Sequence, residues 1–111
     1  MSVRTEINGK VLTAYLEGEI DHHTARNMRE IIDASILSCA PEMLVLDFKN
    51  VSFMDSSGIG LVMGRYKELS KCGGELHITN TTPHITKVMK LAGIERLAVI
   101  GKAENYNEVK E

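Results

Sequence analysis

Met43 to Phe48, MLVLDF, is a nearly continuous apolar run interrupted only by Asp47. A strand of that kind is buried on both faces, as in the middle of an α/β sheet. It is the feature that most limits what the chain can become, because everything around it has to supply the cover. With 111 residues the chain suffices for a single domain, 1–111, with a real core, and hardly for two.

The flanking segments fit that requirement. Val3 to Ile7 and Val11 to Leu16 read as two strands joined by Asn8-Gly9, a strong hairpin signal. In the second, Leu12, Ala14 and Leu16 share one face, and Val11, Thr13 and Tyr15 the other. A polar turn, Gly18 to His23, leads to Thr24, an expected N-cap for a helix reaching about Ser38. Ala25, Met28, Ile32 and Ile36 form its apolar stripe, widened by Ile31, and Pro41 stops the segment. A second helix is expected from about Ser57 to Ser70, ended by Gly73-Gly74, and Glu75 to Thr79 is a short strand. Thr82-Pro83 opens a third helix, with Ile85, Val88 and Met89 inward, that stops near Gly93. Leu97 to Ile100 is a last strand, and the tail reads as a short amphipathic helix. The order β-β-α-β-α-β-α-β implies a mixed sheet of about five strands with helices packed mainly on one face.

Composition narrows the function. Hydrophobic content of 43% and charge of 25% are ordinary for a soluble globular protein. A net charge of -2 offers no basic footprint for nucleic acid and no polybasic membrane patch. No apolar run approaches the roughly 20 residues of a membrane helix. The N-terminus, MSVRTEINGK, lacks the apolar core of a secretory signal, so the cytoplasm is the expected location. Cys39 and Cys72 lie in no C-x-x-C pattern and read as reduced structural thiols.

The chemistry concentrates in Phe53 to Gly60, FMDSSGIG, where strand gives way to helix. Asp55, Ser56 and Ser57 stand at the helix start, where Asp and Ser accept the unpaired N–H groups. Capping alone would explain them. The same N–H groups and the macrodipole also stabilise a phosphate, so a serine here could accept a phosphoryl group. At about 100° per residue, Ile59, Val62, Met63, Tyr66 and Leu69 fall in one arc that should face the sheet. Gly60 and Gly64 share the opposite face with the serines, bordered by Leu61 and Arg65. Each glycine costs a helix about 0.5–1 kcal/mol relative to alanine. They reflect drift, close packing within the chain, or a flat surface open to a partner's backbone. A serine nucleophile is less well supported. Met54 stands where the elbow motif G-x-S-x-G needs its first glycine, and His22-His23, the candidate bases, form a vicinal pair in a polar loop. No His/Cys spacing suggests a metal, and the phosphate-loop lysine motif is missing.

Three stretches carry a family resemblance: GEIDHHTA (Gly18 to Ala25), FMDSSGIG and GRYK (Gly64 to Lys67). With Gly73-Gly74-Glu75 after the second helix, they resemble the anti-sigma factor antagonists of the STAS domain family, and look close to the sporulation branch acting in the sigma-F pathway. The resemblance spans essentially the whole chain and is weakest in its C-terminal part. It implies a STAS-type fold and a regulator with no cofactor and no catalysis of its own. Such proteins, unphosphorylated, bind an anti-sigma factor that is also a serine kinase and so release the sigma factor. The kinase inactivates them on one serine, and a phosphatase restores them. By motif position that serine is Ser56. Asp21, His22 and His23 in the first stretch fall in the partner-facing region, as do Asp55, Ser57, Gly58 and Gly60 in the second. Leu61, Gly64 and Arg65 complete it.

Overall fold

The computed structural model describes residues 2–101; the expected tail helix lies outside them. Five strands, β1 (Val3–Asn8), β2 (Val11–Ile20), β3 (Met43–Met54), β4 (Glu75–Thr79) and β5 (Val99–Gly101), lie in the sheet in chain order. β1 runs antiparallel to β2, and every other pair is parallel. The crossovers carry α1 (His22–Cys39), α2 (Ser56–Ser70) and α3 (Pro83–Leu91). Parallel crossovers of one hand, stepping always in one direction, put all three helices on the same face of the sheet.

The core lies between that face and the helices. Leu12, Ala14 and Leu16 of β2 and Leu44, Leu46 and Phe48 of β3 are essentially inaccessible, as are Met28 and Ile32 of α1. On the opposite face Thr13, Tyr15 and Asp47 are half-buried, although Val45 is buried there too. β3 is the central strand, as expected, but it is fully covered only on the helix face; of Met43, Val45 and Asp47 on the other, Val45 alone is buried.

The hairpin turn falls on Gly9 and Lys10, since Asn8 still pairs with Val11, and Gly9 takes the positive φ of 62° that suits glycine. Both β2 and β3 run further than alternation suggests. Their register slips between Tyr15 and Glu17 and again between Gly18 and Glu19, so β3 contributes one extra residue at each place. Such bulges break a period of two: Val51 and Met54 are both buried, three positions apart. A 3₁₀ turn, Ile94–Arg96, follows Gly93, and β5 begins at Val99, later than expected. Cys39 packs against the core, whereas Cys72 is exposed and not a core thiol.

Candidate functional site

The extended ends of β2 and β3 set the site. Ile20 and Met54 are register partners, and each is followed at once by an aspartate that starts a helix. Asp21 caps α1: its Oδ1 accepts from the backbone N–H of His23 and Thr24, each at 2.9 Å. Thr24, expected as the cap, sits three residues in and closes a capping box, its Oγ1 accepting from the Asp21 N–H. The Thr24 backbone hydrogen bond above all holds the Asp21 carboxyl below its ordinary pKa. Asp55 caps α2, its Oδ1 accepting from the Ser57 N–H at 2.7 Å, while its own N–H donates to Ile20 O at 3.1 Å. Two helix N-termini thus open side by side at the C-terminal ends of β2 and β3, where their dipoles favour negative charge.

Ser56 is the first residue of α2 and exposed; among the described residues its hydroxyl makes no hydrogen bond. Ser57 is half-buried and turns toward α1. The two serines therefore differ in access, with Asp55 holding the turn between strand and helix.

Six of the residues picked out in the sequence meet in one groove of about 630 Å³ between α1 and α2: His22, Ser57, Gly60, Leu61, Gly64 and Arg65. Its other wall is α1, through Ala25, Arg26 and Arg29. Their spacing after His22, three, four and seven residues, is that of one helix face and was open to reading from the sequence. A Cβ added at Gly60 or Gly64 would meet nothing within 4 Å, so both glycines leave open space at the surface.

Five residues depart from the sequence expectations. Gly58 is buried, not partner-facing; a Cβ there would lie 2.1 Å from Met54 Cγ, so the glycine lets α2 pack on the end of β3. Leu61 and Arg65 are buried as well, only 4% and 3% exposed, while Met63, expected inside, is 38% exposed. α2 packs against α1 as well as against the sheet, which turns its buried stripe to Gly58, Leu61, Val62, Arg65 and Leu69. His23 leaves the groove and faces a neighbouring depression with Thr24 and Asn27.

Arg65 can be buried because Asp33 of α1 meets it, with Nε 2.7 Å from Oδ1. The contact is an ion pair off the line of the N–H bond, and among the described residues Arg65 Nη1 finds no acceptor. Burial works against both charges, raising the Asp33 pKa and lowering that of Arg65, and each group opposes the shift of the other. The guanidinium stays protonated at neutral pH.

The STAS domain family model matches residues 2–110. The anti-sigma F factor antagonist of Paenibacillus polymyxa is 35% identical over 100 residues, 90% of this chain and 86% of that protein. A solved structure of the anti-sigma factor antagonist SpoIIAA in its unphosphorylated form is 31% identical, with a TM-score of 0.81 over 96% of this chain and 93% of that one. A structure of the Bacillus cell fate determinant SpoIIAA in the phosphorylated form is 30% identical, with a TM-score of 0.76 over 98% and 99%. A five-stranded mixed sheet with its helices on one face, the two capped helix starts and these similarities agree: the chain belongs to the STAS domain family.

Proposed function

We propose that this protein is an anti-sigma factor antagonist of the cytoplasm, switched by phosphorylation of Ser56. Unphosphorylated, it binds an anti-sigma factor that is also a serine kinase, and the sigma factor is released. The kinase phosphorylates Ser56 and ends the interaction, and a serine phosphatase reverses the step. The observation that carries this reading is the placement of Ser56, exposed and with its hydroxyl unbonded among the described residues, at a helix start that Asp55 already caps. A kinase can reach it, and a phosphate can sit there without unfolding anything. Asp21, His22, His23, Asp55, Ser57, Gly60 and Gly64 stand on or beside the same end of the molecule and supply the partner surface; Leu61 and Arg65 support it from below.

The switch works by local charge. Phosphorylation adds about 1.5–2 negative charges. In the free protein they face water and the N-terminus of α2, which tolerates them. In a docked interface they lose water beside Asp55, and burying unpaired charge costs several kcal/mol. About 3 kcal/mol is already more than a hundredfold in affinity. Incubation with the cognate anti-sigma factor kinase and ATP, followed by phosphopeptide mapping, tests the assignment. A single phosphate on Ser56 is expected. Phosphate on Ser57, or none, overturns it.

A further inference from the structure

The groove between α1 and α2 carries more positive charge than the fold uses. Three arginines and a histidine line it, and among the described residues no acidic side chain does. Arg26 reaches Glu30 at 3.6 Å on the exposed side of α1, a pairing worth little. Arg65 is 3% exposed, and Asp33 meets its Nε; among the described residues Nη1 is buried without an acceptor. Arg29 stands near enough to oppose the charge on Arg65. A like charge beside a buried guanidinium is a cost, and an incoming anion relieves it.

Shape points the same way. Gly60 and Gly64 leave open space along the α2 wall, so a backbone can come close. About 630 Å³ is more than one carboxylate needs and suits a side chain with the segment that bears it. The groove also adjoins the start of α2, where a kinase has to approach Ser56. We propose that it is an anion-recognition subsite whose occupant is an acidic side chain of the anti-sigma factor, which rests on the partner-binding reading above. The carboxylate pairs with Arg29 and Arg26 at the mouth and meets the positive field of Arg65 beneath.

The test uses the unphosphorylated full chain titrated calorimetrically with the anti-sigma factor at low and high salt. Arg29 is exposed, so Arg29→Gln and Arg29→Glu should fold, and melting curves verify it. A hydrogen bond to a charged group corresponds to about tenfold to a hundredfold in affinity, so Arg29→Gln should weaken binding about tenfold and Arg29→Glu about a hundredfold. Surface acids of the partner are then changed to arginine one at a time. One of them should restore at least about tenfold of the affinity lost by Arg29→Glu. If the wild-type chain does not bind the anti-sigma factor, the functional reading fails and takes the subsite with it. If wild type binds but Arg29→Glu binds equally, or no partner substitution rescues it, the subsite alone is overturned. Inorganic phosphate titrated by itself is the second arm. Saturable binding abolished by Arg29→Glu, without charge-swap rescue, makes the groove a free-anion site and also overturns the proposal.

Discussion

Ser56 and Asp55 are neighbours with separate duties. Asp55 satisfies the helix end, so Asp55→Ala should cost about 0.5–2 kcal/mol in urea denaturation. Ser56 holds nothing, and Ser56→Ala should stay within about 0.5 kcal/mol. Equal losses would make Ser56 a structural cap. Ser56→Asp adds a charge at a helix N-terminus, which should hold or raise the stability of the free protein by about 0.3–1 kcal/mol. Binding to the anti-sigma factor should nevertheless drop, and unchanged affinity would leave bulk, not charge, as the switch. Asp21 provides a pH test. Its folded pKa is depressed, so its contribution is complete above the ordinary value of 3.8 and is lost as pH falls through the folded value. Asp21→Asn still caps but does not titrate, so it should flatten this acid limb in unfolding curves taken down through that range. At this scale a cap at the start of α2 was legible, offered by Asp55, Ser56 and Ser57 together, and the hydrogen bond from the Ser57 N–H assigns it to Asp55. The cap at Asp21 was not legible, because Asp21 and Thr24 are both good caps three residues apart, and only the hydrogen bonds separate cap from capping-box partner.

α2 is the element whose sequence misleads most. A single period identifies one buried face, but this helix is covered on two sides, by the sheet and by α1. Arg65 therefore reads as a surface contact, although Asp33 has taken it into the interior. Removing the carboxylate with Asp33→Ala leaves a buried charge, and a loss of about 3 kcal/mol is expected, at the low end because Asp33 keeps a third of its side chain exposed. Arg65→Met replaces the charge by an apolar chain of similar length and should cost less. Thermal or urea melts give the order directly, and the reverse order would show that the ion pair itself is a strong stabiliser. The glycines divide in the same way. Gly60→Leu and Gly64→Leu enter open space and remove a helical glycine, so each should melt at or slightly above wild type, by up to about 0.5–1 kcal/mol, while weakening anti-sigma factor binding. Gly58→Ala forces Met54 aside and should destabilise by about 1–3 kcal/mol. A Gly60→Leu variant that binds normally would remove the glycine face from the interface.

At the scale of the whole molecule, one sheet order explains where function sits. Parallel strands taken in sequence bring the C-terminal ends of β2 and β3 together, and both following helices start there. This much was legible, since MLVLDF demands a covered central strand and the helix stripes supply the cover. The bulged extensions of β2 and β3 were not, because extra residues destroy the alternation that reveals a strand. Nor was the groove, which arises only when α1 and α2 meet. Solved structures of SpoIIAA in the unphosphorylated and the phosphorylated form both match the fold of this chain, with TM-scores of 0.81 and 0.76. The decisive measurement is a pair of calorimetric titrations of the anti-sigma factor, one with the unphosphorylated chain and one with the same chain phosphorylated on Ser56. Tight binding by the first, a loss of more than about a hundredfold in the second and superimposable melting curves for the two are expected. Equal affinities, or a phosphorylated chain that binds weakly only because it has unfolded, would contradict a local electrostatic switch at Ser56.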